Sequence, residues 1–194
     1  MNNVKGFTLT ELLMVLIIIS VTLAIGLPNV QSLIISSRLT SSANAMISAL
    51  QLARFEALKQ QKNVVIANKN GQWENGWIVF IDEKKGSQAP NNQLDTNEFM
   101  LANFDALHSS LVVKIPTSYK NYVYYDKYGR INSESLGNGT FSFCSSSVLQ
   151  DFRSVVIAST GRVHVELPVT LPTPTQQTST TTTIAPSPYE TKCK

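Results

Sequence analysis

Apolar side chains are spread along this chain in three regimes, each predicting a different element. From Phe7 to Leu27 they are nearly continuous: Glu11 is the only ionisable side chain, and from Leu12 to Leu27 there is no charge. These 21 residues would make about 31 Å of helix at 1.5 Å per residue, enough to span the hydrocarbon core of a bilayer. Pro28 removes a backbone donor and is expected to kink or loosen the helix without ending it. Beyond it Leu39, Ala43, Met46, Leu50, Ala53 and Ala57 recur at alternating spacings of four and three. That is one face of an amphipathic helix running to about Gln60, which should pack on a globular domain. After Gln61 the period changes to short runs of Val, Ile, Tyr, Phe and Trp between turn signals, which predicts strands. The candidates are Asn63–Ala67, Gly76–Asp82, Leu111–Pro116, Asn121–Asp126, Gly139–Cys144, Arg153–Ala158 and Arg162–Leu167, with tight turns at Asn70-Gly71 and Asn138-Gly139. The predicted fold class is α+β, a long N-terminal helix packed on an antiparallel β-domain.

Composition refines this outline. A length of 194 residues suits one compact domain with accessory segments. Charged residues make up 15% and hydrophobic ones 43%, and the excess sits in the N-terminal run. A formal charge of +3 is too small to imply nucleic-acid binding by itself. Beyond Val169 the chain turns to Thr, Pro, Gln and Ser, a composition that cannot build a core and predicts an extended or mobile tail.

Candidate chemistry is sparse. Cys144 and Cys193 are not spaced as a CxxC pair and have no histidine cluster beside them, so a disulfide is their simplest use, with two free buried thiols as the alternative. A bond between them would place the globular part in an oxidising compartment such as the periplasm. His108 and His164 lack a neighbouring cysteine or acidic cluster, and no nucleotide-binding glycine motif occurs. The run Asp82-Glu83-Lys84-Lys85 reads as a solvated turn and lacks the spacing of a calcium loop. No enzyme activity, cofactor or metal is expected.

An ordinary secretory signal ends in a small-residue cleavage site, which Ala24-Ile25-Gly26 resembles here, but the helical pattern continues beyond it. The residues Lys5-Gly6-Phe7-Thr8-Leu9-Thr10-Glu11-Leu12 instead resemble the processing site of the type IV pilin superfamily, which includes the pseudopilins of type II secretion. The resemblance implies cleavage by a prepilin peptidase after Gly6 and N-methylation of Phe7. It makes residues 1–6 a leader, which Lys5 would keep cytoplasmic, and its removal lowers the formal charge from +3 to +2. A carboxylate beside a bilayer-spanning run is costly and needs a partner. In pilins this glutamate, here Glu11, neutralises the N-terminal amine of a subunit and so helps set register in the filament. The remaining divisions are then 7–28 for the membrane and filament-core helix, 29–61 for the amphipathic helix, 62–169 for the β-domain and 170–194 for the tail.

Later stretches narrow the resemblance. The run from Trp73 to Asp82 looks like the first β-hairpin of the GspH/FimT family, and Tyr128-Gly129-Arg130 and Ser159-Thr160-Gly161-Arg162-Val163 look like its glycine–arginine turns. The expected role is that of a minor pilin or pseudopilin, anchored in the bacterial inner membrane with a periplasmic domain and extracellular once assembled. Its expected partners are other pilin and minor pilin subunits and the prepilin peptidase. A second expectation is binding of double-stranded DNA in natural transformation. FimT-type members are associated with DNA uptake through a Gly-Arg-x-Arg turn, which here reads Gly161-Arg162-Val163-His164, with Arg130, Arg153 and Lys127 as further candidate contacts. A third is a place in a type II secretion pseudopilus.

Overall fold

The computed structural model describes residues 6–83, 92–96, 98–131, 139–146, 151–166 and 193, with residues 24–29 described by their backbone alone. One unbroken helix, α1, runs from Leu9 to Gln60. It passes through Pro28 as continuous helix, so the expected loosening there does not break the element. Its C-terminus is closed by Gln61 in the left-handed conformation.

Among the described residues eight strands follow: β1 (Asn63–Lys69), β2 (Gln72–Asp82), β3 (Met100–Phe104), β4 (Leu111–Lys114), β5 (Tyr122–Tyr125), β6 (Gly139–Ser145), β7 (Phe152–Ile157) and β8 (Val163–Glu166). They form two four-stranded sheets, ordered β3-β2-β1-β5 and β4-β6-β7-β8, with every pair antiparallel. The expected Asn70-Gly71 turn joins β1 to β2, with both residues at positive φ (54° and 77°), the geometry that a two-residue hairpin loop requires. The Asn138 half of the other expected turn lies outside the described residues.

The amphipathic stripe is the seam between helix and sheets. Leu39, Ala43, Met46, Leu50, Ala53 and Ala57 are all buried, against Val64 and Ile66 of β1, Trp77 and Val79 of β2, and Phe141, Phe143, Val155 and Ile157 of β6 and β7. The core therefore spans both sheets, and removing one large side chain from it should cost roughly 2–5 kcal/mol. Glu74 ties the sheets together: its carbonyl accepts from Leu107 N–H at 2.8 Å and its Oε1 from Val113 N–H at 2.8 Å. The indole of Trp73 packs edge-on against Phe141 and donates from Nε1 to the carbonyls of Tyr119 and Lys120, both at 3.0 Å.

Among the described residues the N-terminal half of α1 has no such cover. Leu12, Leu13, Met14, Leu16, Ile17, Ile18 and Leu23 are all exposed. Among the described residues no helical stretch is long and apolar enough to cross a membrane. The span expected from Phe7 to Leu27 includes residues 24–27, whose side chains are not among those described.

Candidate functional site

Gly6 and Phe7 precede α1 as exposed, non-helical chain, so the peptide bond between them is open to solvent. Residues 1–5, including Lys5, lie outside the described set. Thr8 is the N-cap, and with Glu11 it forms a reciprocal capping box. The Thr8 hydroxyl accepts from Glu11 N–H at 3.3 Å, while Glu11 Oε2 accepts from Thr8 N–H and from the Thr8 hydroxyl, both at 3.1 Å. A carboxylate here also faces the positive end of the helix dipole. The T-x-x-E spacing that signals such a box stands in the sequence at Thr8 and Glu11, yet only Glu11 was singled out from it. Farther along, Ser20 donates to the Leu16 carbonyl at 2.7 Å and Thr22 to those of Ile18 and Ile19 at 3.0 and 2.9 Å. These hydroxyls are thus satisfied within the helix, as an apolar surrounding demands.

The candidate basic residues fall into two groups. Gly161 and Gly129, both at positive φ, bring the 158–161 turn directly against the 126–129 turn, and a Cβ on Gly161 would be driven into the Gly129 carbonyl oxygen. The contact is pinned by Tyr125, whose hydroxyl donates to the Gly161 carbonyl at 3.3 Å, and by Arg54 of α1, whose Nη2 donates to the Thr160 carbonyl at 3.2 Å. Burial pushes the Tyr125 phenol well above its ordinary pKa, which keeps it a donor. Arg162 thus directly follows a turn whose backbone packs on the one that carries Lys127 and Tyr128 and precedes Arg130. The Arg162 side chain is exposed and makes no hydrogen bond or ion pair with the described residues. Arg130 is held by Asp126 through Nε and Nη2, at 3.1 and 2.9 Å from Oδ2. Tyr128, 59% exposed, carries Lys127 Nζ and Arg130 Cζ each 5.1 Å from its ring centroid, within cation–π range. Tyr128 belongs to the Tyr128-Gly129-Arg130 turn that the sequence offers, but nothing in the sequence gives its ring a role in holding two cations.

Arg153 and His164 do not join this group. The Arg153 side chain is only 15% exposed, pairs with Asp151 at 2.7 Å, and donates to the Ser36 hydroxyl of α1 at 3.0 Å. It fastens the helix to β7. By contrast the Arg130 side chain is 64% exposed despite its ion pair. His164 faces Glu166 at 4.0 Å across the exposed side of β8. His108, the other histidine, bridges to Arg38 Nη1 at 3.2 Å and to the Ser110 hydroxyl at 2.9 Å, which couples the 105–110 loop to α1.

Cys144 of β6 and Cys193 are joined by a disulfide, with their Cα atoms 5.9 Å apart. Among the described residues no group of three potential metal ligands occurs. A cleft of about 460 Å³ beside Tyr128 is lined in part by Asp82, Glu83 and Asp126, but each carboxylate is engaged: by Asn92 N–H, by Lys62, and by Arg130.

A helix half buried on a two-sheet domain and half bare, with a glycine–phenylalanine–glutamate head, defines a pilin-type subunit. Residues 42–161 match the family described as type II transport protein GspH, and residues 1–27 match the prokaryotic N-terminal methylation motif. The chain belongs to the GspH family of the pilin superfamily, whose members are structural pilin and pseudopilin subunits; membership implies assembly with other such subunits and processing by a prepilin peptidase. Among solved structures it is similar to the Pseudomonas aeruginosa type IV minor pilin FimU, at 22% identity and a TM-score of 0.51, covering 67% of this chain and 89% of that one. It is also similar to the minor pseudopilin EpsH of the Vibrio cholerae type II secretion system, at 12% identity and a TM-score of 0.49, covering 68% of this chain and 98% of that one. No match was found among curated proteins.

Proposed function

We propose that this chain is a minor pilin, cleaved after Gly6, methylated at Phe7, anchored in the inner membrane by the N-terminal half of α1 and then drawn into a type IV pilus. The observation that supports this most is the contrast along one continuous helix. The stripe from Leu39 to Ala57 is fully used by the chain's own sheets, while the apolar surface from Leu9 to Leu23 is left without a partner among the described residues. Contiguous apolar surface of that extent needs lipid or other subunits to cover it. Glu11 at its head supplies the charge that pairs with a neighbouring subunit's amine and sets register. The test is Glu11→Ala in the full chain. Expected is normal folding of the globular part with at least a tenfold drop in the filament-associated fraction, measured by immunoblot of sheared filaments. Wild-type incorporation would defeat the mechanism. The family description, a type II transport protein, favours a secretion pseudopilus as the alternative housing. Co-purification with pilus or with secretion components separates the two.

A second reading, DNA binding, is favoured by the packing of the two glycine turns, one followed by the exposed Arg162 and the other bearing the Lys127–Tyr128–Arg130 cluster. Arg153 drops out of that surface because it is committed to Asp151 and Ser36. The test is a salt titration of DNA binding by the soluble part from Ser32 to Lys194. On this reading, binding weakens steeply with salt and Arg162→Ala abolishes it, because phosphate contacts release counterions. Absence of binding at low salt would reduce Arg162 to a solvated turn residue.

A further inference from the structure

The hydrogen bonds at the head of α1 are unevenly shared between the two oxygens of Glu11. Oε2 takes both the Thr8 N–H and the Thr8 hydroxyl, at 3.1 Å each, whereas Oε1 has no hydrogen-bond partner among the described residues. The Thr8 hydroxyl is itself saturated. It accepts from Glu11 N–H at 3.3 Å, lies 3.0 Å from the Thr10 hydroxyl, and has its single proton free for Glu11. We propose that Thr8 is the positioning residue of the assembly carboxylate: it holds Glu11 by Oε2 against the start of its own helix and leaves Oε1 to accept the N-terminal amine of a second subunit. The inference rests on the assembly role given to Glu11 above and adds the residue that sets its aim.

The physical basis is pre-organisation. A glutamate on an open helix terminus samples many rotamers, and pairing with an incoming amine has to freeze them. A glutamate already fixed by two hydrogen bonds loses little further freedom on binding. A carboxylate can accept through both oxygens at once, so the box need not open when the amine arrives. The arrangement also keeps the carboxylate satisfied before assembly, when the head of α1 has no neighbour and an unpaired charge beside apolar surface would be costly.

Three substitutions at Thr8 separate aiming from mere helix capping. Serine keeps both the cap and the hydroxyl proton. Aspartate is as good a cap, because it can accept from Glu11 N–H, but it has no proton to give Glu11 and repels it. Valine removes the hydroxyl and keeps the shape. Each is made in the full chain, in cells with the prepilin peptidase and lacking the native copy. Cleavage after Gly6 is followed by gel mobility, and incorporation by the amount of chain in sheared filaments. Expected is normal cleavage throughout, with incorporation within twofold of wild type for Thr8→Ser and reduced about tenfold for Thr8→Val and Thr8→Asp. Wild-type incorporation of Thr8→Asp would overturn the proposal, since capping alone would then suffice. So would failure of Thr8→Ser, or loss of cleavage in Thr8→Val, which would make Thr8 a processing residue. If Glu11→Ala fails to incorporate while Thr8→Val behaves as wild type, the aiming role is refuted and the role of Glu11 survives. If Glu11→Ala incorporates normally, the underlying reading falls with it.

Discussion

Substituting Gly161 by alanine probes the contact on which the basic surface depends. Gly161 sits at φ 79°, where an L-residue loses about 1–2 kcal/mol relative to glycine. Its new Cβ would also meet the Gly129 carbonyl and the Tyr125 ring, 2.9 Å away at Cε1. A backbone carbonyl cannot rotate aside as a flexible side chain can. The two turns must therefore separate, and overpacking of this kind costs about 1–3 kcal/mol. Alanine restricts the unfolded chain and returns about 0.4–1 kcal/mol. The net expectation is a loss of roughly 2–3 kcal/mol, which for a domain of this size is about 5–12 °C in Tm. The assay is thermal unfolding of the oxidised chain from Ser32 to Lys194, with Arg162→Ala as a control that should stay near wild type. A Tm within about 2 °C of wild type would refute the reasoning, and would remove the ground for grouping Arg162 with Lys127, Tyr128 and Arg130.

Three further expectations follow from other contacts. Arg153→Ala should lower stability by about 2 kcal/mol, because it removes charged hydrogen bonds to Asp151 and Ser36, yet leave any DNA affinity unchanged in a binding titration. Cys193→Ser opens a closed loop with a sequence separation of 49 and should cost up to about 4 kcal/mol on chain-entropy grounds, read as a lower denaturant midpoint that matches the reduced wild type. Glu56 tests the acid limb. Hydrogen bonds from Gln60 and then from Lys59 hold its carboxyl below the ordinary 4.5, with partial burial pulling the other way. A depressed folded pKa gives stability that is present above the unfolded value and lost as pH falls through the folded one. Glu56→Gln should therefore lower Tm at neutral pH, and its gap to wild type should close as the pH falls below about 4.5.

The parts of the fold that could be read in advance are those set by local periodicity. The helical stripe was legible because its apolar residues repeat at the spacing that the helix itself imposes, and each of the six is buried. The β1–β2 turn was legible because two residues at positive φ call for Asn-Gly. Strand β3 was not. Met100 to Phe104 alternates poorly, carries an alanine and an asparagine, and is an edge strand fixed by its pairing with β2. Edge pairing of this kind depends on what the partner strand offers, and that is a tertiary fact. The same limit hid the division into two sheets. Val65 and Phe80 are fully buried although they fall outside the core that α1 covers, so β1 and β2 are apolar on both faces and no period-2 signal marks which side meets the helix.

The candidate sites divide in the same way. Gly6, Phe7 and Glu11 lie within a few residues of one another, and the capping box that orders Glu11 is itself local, so their grouping owes nothing to the rest of the chain. The basic surface is different. Arg54, Tyr125, Gly129 and Gly161 come from a helix, a strand and two turns, and only their packing decides that the turn before Arg162 meets the turn bearing Tyr128 while Arg153 is drawn away to Ser36 on α1. Charge counted along the sequence treated those arginines as equivalent. Their partners make them unequal: one clamps a turn to its own carboxylate, one ties helix to sheet, and the Arg162 side chain alone of the three makes no hydrogen bond or ion pair with the described residues. For this reason Arg162→Ala discriminates between the two functional readings, whereas Arg130→Ala would confound binding with stability.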